Sequence, residues 1–422
     1  MTPGGGDLCV VNASIDGKKG GLRAEAGVIS EIGPEVTVKD GESVFDADGS
    51  ILVPPLINGH THAAMTLFRG HGDDLPLMRW LQEAIWPVEA NLDPDDAYWG
   101  TRLACLEMIR TGTSKFWDMY WQPEAVARAV VDSGLRAVLG PPMIDPQGDA
   151  GLEGRNETVL SQLDALAGFG SRVDAAVAPH SIYTVATESL EFAVDTARQR
   201  ELPIHIHLSE TGDEVEDCLR KFGMRPAFYL DSIGMLTPGT TLAHGVFLDQ
   251  AELELVAERG ATVTTNPVAN MKLAVGGAFP YPAASAAGVN IALGTDGAGS
   301  NNSLDLLADL KTFALLQRHS DVNAEAIPME EAWAIATGQR SPLIGDPAPL
   351  TVGKRADFLL LDQDAHELAL GNLTSALVYT ATGSVVKSTV VDGNVLMKDR
   401  LVEGSGEVIA KARERAKRLG LG

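Results

Sequence analysis

Two histidines one residue apart, His60 and His62, follow an apolar run that ends at Asn58-Gly59. A short apolar stretch stopped by Pro and Gly reads as a buried strand, and on a strand residues i and i+2 face the same side. The pair would aim two imidazoles at one point, where the strand opens into a loop. In isolation such a pair is more often two hydrogen-bonded histidines than half of a metal site, which needs at least two further ligands. Candidates lie downstream. His205 and His207 alternate in PIHIHLSE, with Glu210 three residues after His207. His207, nearer the strand end, is the better-placed ligand, and His205 sits deeper as a core or supporting histidine. Asp296, in LGTDGAGS, ends the last strand of the series and alone would be an Asp-Gly turn. Together, three imidazoles and one carboxylate suit one divalent ion, Zn2+ ahead of Fe2+, with an open position for water. A structural zinc site would favour closed, cysteine-rich coordination, and Cys9, Cys105 and Cys218 lie away from these motifs. The absence of any lysine between Lys115 and Lys221, a residue that could bridge a second ion, points to one metal.

These side chains need a scaffold that brings strand ends together. Residues 7–53 read as short β pieces with Asp-Gly and Gly-Gly turns. Helix-sized segments then alternate with short apolar strands. Pro94–Thr111, with Asp93 as N-cap, Pro123–Ser133, 157–167, Thr187–Arg200 and 250–258 are the expected helices. The intervening strands end at His60/His62, His180, His207, His244 and Asp296. This alternation implies parallel strands with crossover helices. A count of about eight suggests a (β/α)8 TIM barrel, an α/β fold whose active sites lie at the C-terminal strand ends. After Pro349 the texture returns to β in KRADFLLLD, SALVYTA and SVVKSTVVDGNVLMKDRLV, with a hairpin at Asp392-Gly393. The expected domains are a composite β-sandwich from 1–53 and 349–405, a catalytic barrel from 54–348, and a C-terminal helix in 406–422.

Composition narrows the ligand. The 422 residues carry 33 Lys plus Arg against 57 Asp plus Glu, a net charge of −24, which disfavours nucleic acid and anionic membranes as partners. The three scattered cysteines read as reduced residues of a cytoplasmic protein. No targeting segment is expected at MTPGGGDLCVV. The long uncharged run 273–295 is broken by Gly and Pro and reads as a loop and then a strand.

With INGHTH, RGHGDDLPLMRWLQEAIWPVE, IHLSE, AHG, TNPVANMKLA and LGTDGAGSNNSL in place, the chain resembles the amidohydrolase superfamily over residues 7–400. Within it, the chain is most similar to the methylthioadenosine / S-adenosylhomocysteine deaminases. The resemblance implies His60, His62, His207 and Asp296 as metal ligands, Glu210 as proton shuttle, and His244 as the residue holding the water or the reacting centre. It further implies that Glu89 accepts hydrogen bonds from the ribose hydroxyls, that His180 contacts the purine, and that Arg155 binds an amino-acid carboxylate. Without the resemblance, Glu89 is a helix-ending carboxylate, His180 a satisfied strand-end histidine, and Arg155 a solvated arginine. One departure matters for substrate. Homocysteine-binding members carry another arginine after the third strand, where this chain reads LGPPMID. Half of a carboxylate clamp is missing, and paired arginine contacts are the strong ones. 5'-Methylthioadenosine, adenosine or another 5'-modified adenosine is therefore expected ahead of S-adenosylhomocysteine. The competing readings are a sibling hydrolase of guanine, a triazine or another aminated heterocycle, and a metal-free relative without catalysis. A homo-oligomeric assembly is compatible with the sequence.

Overall fold

The computed structural model describes residues 5–145 and 152–421. Gly151, in the motif around Arg155, and the ends of the first and last expected domains lie outside the described residues.

The chain opens with five strands: β1 (Leu8–Ile15), β2 (Lys18–Glu25), β3 (Val28–Gly33), β4 (Val44–Asp46) and β5 (Ile51–Val53). The β1–β2 hairpin turns through Asp16-Gly17, both at positive φ (49° and 72°), the geometry that favours Gly in two-residue turns. Ten short strands follow: β6 (Leu56–Thr61), β7 (Thr113–Met119), β8 (Arg136–Gly140), β9 (Pro142–Met143), β10 (Val173–Ala175), β11 (Ala178–Pro179), β12 (Ile204–Leu208), β13 (Thr240–His244), β14 (Thr262–Thr265) and β15 (Asn290–Leu293). They pair in parallel, in the orders β10-β8-β7-β6, β11-β9 and β12-β13-β14-β15. Backbone bonds join these groups: His205 N–H donates to Val177 O (3.0 Å) and Asp296 N–H to His60 O (3.0 Å). Helices alternate with the strands, and β8, β12, β13 and β14 are buried throughout, as parallel strands covered on both faces should be. The result is an α/β, TIM-barrel-like fold. Trp117, Val138, Ala176, Ala292 and Ile344 form a small buried cluster.

The chain ends with β16 (Phe358–Leu361), β17 (Val386–Val391) and β18 (Asn394–Met397). These join the first five strands in one eight-stranded sheet, ordered β18-β17-β16-β5-β1-β2-β3 with β4 against β1. The seam is antiparallel, with Ile51, Leu52 and Val53 opposite Leu361, Leu360 and Leu359. This sheet has its own core of Val10, Leu22, Ile29, Phe45, Leu52 and Phe358. The hairpin at Asp392-Gly393 forms, with both residues at positive φ.

Several expected elements differ. SALVYTA is a helix, Leu373–Tyr379, because Asn372 caps it (Ser375 N–H to Oδ1, 3.1 Å) and Ala376, Leu377 and Val378 bury one side. Short apolar runs leave helix and strand undecided, and the cap tips the balance. The stretch 273–295 includes a helix, Tyr281–Ala287, since its prolines fall in the first turn, where a missing N–H is harmless. The helix expected at 157–167 begins earlier, at Leu152, and the strand expected to run into His180 is two pieces, β10 and β11. The final helix, Ser405–Arg418, packs on Pro94–Thr111: Arg415 reaches Asp93 (2.7 Å) and Asp96 (3.0 Å), and Arg418 pairs with Asp96. Among the described residues no helix is long and apolar enough to cross a membrane.

Candidate metal centre and substrate pocket

Strand ends converge on one point. His60 lies on β6 with His62 one residue past its end, His207 lies on β12, His244 ends β13, and Asp296 follows β15. Asp296 Oδ1 is 3.3 Å from both His60 Nε2 and His62 Nε2, and His62 Nε2 is 3.4 Å from His207 Nε2. Ligand atoms of His60, His62 and His207 lie within 4.8 Å of one another, as do those of His60, His244 and Asp296. His60 Nε2 and Asp296 Oδ1 are buried with no hydrogen-bond partner among the described residues. Buried polar atoms are rarely left unpaired, and a carboxylate oxygen ringed by imidazole nitrogens suits a cation.

The outer ring nitrogens are committed elsewhere, which turns the inner ones toward that point. His62 Nδ1 bonds Met119 O and His207 Nδ1 bonds His180 O, each at 2.7 Å. His244 Nδ1 bonds Asn270 Oδ1 (2.7 Å), and His60 Nδ1 bonds His205 Nε2 (2.7 Å). Ser300 Oγ donates to Asp296 Oδ2 at 2.7 Å. Such outer contacts fix tautomer and orientation in metal sites. Backbone strain marks the same positions: Ser209, His244 and Asp296 have φ of 51°, 76° and 62°. Left-handed backbone at a non-glycine costs about 1–3 kcal/mol, and such residues cluster at functional sites.

Electrostatics favours neutral imidazoles, the form that binds metals. Burial pushes His60 down to about 4 and His180 to about 3, and holds His205 and His207 well below their ordinary range. Burial also opposes charge on His62, but the Asp296 carboxylate outweighs it and lifts the imidazole to about 9. Burial works against the charge of Asp296 too, yet His60 and His62 prevail and keep its carboxyl well below the usual range.

Glu210 is buried beside the centre, 3.9 Å from His244 Nδ1, and burial raises its carboxyl above the ordinary value. Its turn is fixed by Glu214, whose carboxylate accepts from the backbone N–H of Ser209 (2.9 Å) and Glu210 (2.8 Å). A cavity open to solvent leads to the centre. His62, His180, His207, Glu210, His244 and Asp296 form its polar floor. Its walls are largely apolar, with Met65, Leu81, Trp86, Ile144 and Leu273 among them, and Glu89 projects from one side. The stretch from Leu77 to Glu89, several of whose residues line the cavity, is helical and includes a π-helical turn, Trp80–Ile85. Such turns are frequent at functional sites.

His60, His62, His207, His244, Asp296, Glu210, Glu89 and His180 therefore meet around one cavity or its floor. Arg155 does not line it. Its guanidinium pairs with Asp145 and bonds Ser189 Oγ (2.8 Å). Among the described residues neither lysine nor arginine lines the cavity. Asn270, Ser300, Tyr120 and Trp121 also belong to the site and carry no spacing signal. Their places come from contacts made only in the folded chain.

Residues 51–396 match the Amidohydrolase family, and the chain belongs to that family. It is 45% identical over 401 residues to a 5'-deoxyadenosine deaminase of Methanoregula boonei, covering 93% of this chain and 90% of that one. It is 41% identical over 411 residues to a 5-methylthioadenosine/S-adenosylhomocysteine deaminase of Desulforamulus reducens, covering 95% and 94%. A crystal structure of an adenosine deaminase from Xanthomonas campestris with bound zinc superposes with a TM-score of 0.89 at 31% identity, covering 99% of both chains. A triazine hydrolase superposes with a TM-score of 0.87 at 20% identity, which speaks to the fold alone.

Proposed function

We propose that the protein is a metal-dependent hydrolytic deaminase of 5'-modified adenosines, yielding the inosine analogue and ammonia. The observation that carries it is the meeting of four histidines, Asp296 and buried Glu210 at the floor of a cavity with a carboxylate, Glu89, on its wall. Relatives at about 40% identity named for this activity support the reading.

His60, His62, His207 and Asp296 are the proposed ligands of one divalent ion. Three nitrogens and one oxygen favour Zn2+ over Fe2+, and zinc in the Xanthomonas neighbour points the same way. When bound, the ion lowers the pKa of a coordinated water from about 15.7 to about 7. Glu210 takes the proton of the attacking water and delivers it to N1 of the adenine ring. The C6–O bond forms as the C6=N1 double bond gives way and C6 becomes tetrahedral; Glu210 then takes the remaining proton of the C6 hydroxyl and passes it to the departing ammonia as the C6–N bond breaks and C6=O forms. The raised carboxyl of Glu210 suits both directions of transfer. His244, held by Asn270, orients the water against C6. His180 faces the purine, and Glu89 accepts from the ribose hydroxyls.

The 5' substituent is small and uncharged in this reading. Pro142 and Ile144 of the LGPPMID segment line the cavity, and Arg155 is held by Asp145. A carboxylate placed there would be desolvated without a cation partner, which is costly. 5'-Deoxyadenosine and 5'-methylthioadenosine therefore rank ahead of S-adenosylhomocysteine. We also take the parallel strands as one closed eight-stranded barrel within residues 54–348, supported by the Asp296–His60 backbone bond. Residues 1–53 and 349–405 form the β domain, and 406–422 the final helical segment. Three buried free cysteines suit a cytoplasmic setting.

The test is a deamination screen over 5'-deoxyadenosine, 5'-methylthioadenosine, adenosine, S-adenosylhomocysteine, guanine and a triazine, read by ultraviolet absorbance and ammonia release. The 5'-deoxy or 5'-methylthio nucleoside should give the highest kcat/KM. Turnover confined to guanine or the triazine would replace this reading with the sibling one, and S-adenosylhomocysteine at or above methylthioadenosine would overturn the ranking.

A further inference from the structure

Tyr120 follows β7 directly, one residue after Met119, whose carbonyl holds the His62 ring. Its position is therefore fixed by the same strand end that orients a proposed metal ligand. The side chain is 4% exposed and lines the cavity. Its hydroxyl faces the Glu89 carboxylate, yet makes no hydrogen bond of sound geometry with it and has no other partner among the described residues. On the other side of Glu89, Trp121 Nε1–H donates to Oε2 at 3.4 Å, a long bond that leaves the carboxylate room to accept more.

A buried hydroxyl without a partner is destabilising and calls for an explanation. Packing explains the ring but not the oxygen, since phenylalanine would fill the same space. A vicinal diol does explain it. Each diol hydroxyl has one proton to donate and lone pairs to satisfy. A carboxylate is acceptor-only, whereas a phenol supplies a donor. Glu89 alone can take both diol protons but leaves the lone pairs of both oxygens facing a largely apolar wall. We infer that the Tyr120 hydroxyl is a second reader of the ribose diol, donating to one ribose oxygen whose proton Glu89 accepts. This rests on the nucleoside reading above and adds the residue that completes the diol's hydrogen bonds. Desolvation and the neighbouring carboxylate hold the phenol protonated, well above its ordinary range, so it remains a donor at neutral pH.

The experiment compares wild type with Tyr120→Phe on 5'-deoxyadenosine and on its 2'-deoxy and 3'-deoxy analogues. Loss of a neutral hydrogen bond corresponds to roughly a three- to tenfold effect. Tyr120→Phe should lower kcat/KM for the ribonucleoside by that factor, mainly through KM. For the one analogue that lacks the partner hydroxyl it should cause no further loss. The thermal midpoint should hold or rise, because no bond in the free enzyme is broken. Equal losses on all three nucleosides, no loss on any, or a marked fall in the midpoint would each overturn the inference. Failure of the underlying reading is visible without the variant: wild type would turn over the ribonucleoside and a 2',3'-dideoxy analogue equally well, and the inference would fall with it.

Discussion

In the proposed mechanism, Glu210 is the side chain on which the chemistry turns. It is buried beside His244, its carboxyl is raised by burial, and its backbone is pinned by Glu214. It is not among the atoms that surround the metal point, so its removal separates proton transfer from metal binding. Glu210→Gln should lower kcat by about 10²–10⁴, the usual range for a general acid–base group. Elemental analysis of the same sample should still find one equivalent of metal. A variant with near-normal kcat would remove Glu210 from the mechanism, and a variant that has lost its metal would make it part of the centre. Most of the residues proposed to carry the chemistry are legible in the sequence because they sit in short patterns at strand ends. Asn270 and Ser300 were not, because their contacts with His244 and Asp296 span 26 residues in one case and a loop turn in the other. Arg155 illustrates the converse: its sequence context suggested a substrate contact, and only the fold shows that Asp145 occupies its guanidinium.

Among the elements, Pro94–Thr111 is one of three helices, with Pro123–Ser133 and Thr187–Arg200, whose limits the sequence predicts residue for residue. Asp93 accepts from Asp96 N–H at 2.9 Å, Asp96 returns the bond to Asp93 N–H at 2.9 Å, Pro94 occupies the first turn, and Gly112 ends the helix at φ 95°. Local rules of capping and glycine termination suffice there. Asp93 also receives Arg415 from the final helix, which ties the last element of the chain to the start of this one. Asp93→Ala should therefore cost about 1–2 kcal/mol, the upper part of the range for a lost N-cap. Thermal unfolding should show a midpoint a few degrees lower, with kcat/KM of the folded enzyme unchanged. An unchanged midpoint would mean that the cap and the Arg415 contact add nothing measurable. SALVYTA was misread because seven apolar-rich residues fit either a strand or two helical turns. The deciding contact is a single hydrogen bond from Ser375 N–H to Asn372, a residue that lies outside the run.

For the molecule as a whole, the parallel α/β layout was readable from the strand–helix rhythm, and the pairing of the two chain ends from the return of β texture after Pro349. The register that joins them was not, because nothing local fixes which residues of β5 meet β16. The proposed site would draw its ligands from β6 and the residue after it, β12 and the segment after β15, so a bound ion would stabilise the folded state against the unfolded one. At a free concentration 1,000 times Kd the gain is about 4 kcal/mol. Dialysis against a chelator should abolish turnover and lower the thermal midpoint, and stoichiometric Zn2+ should restore both. If neither changes on chelation, the centre is not a metal site.

The β5–β16 seam sets a timetable for biosynthesis. Leu52 and its partner Leu360 are about 300 residues apart. At about 5–20 residues per second, a ribosome needs roughly 15–60 s to deliver the second after the first. During that interval β5 and the strands beside it present an unfinished edge with the apolar face of Val10, Leu22 and Phe45 uncovered. Unpaired strand edges invite pairing with other chains. The nascent enzyme is thus most exposed to misassembly before its last hundred residues emerge, although every proposed metal ligand has already been made.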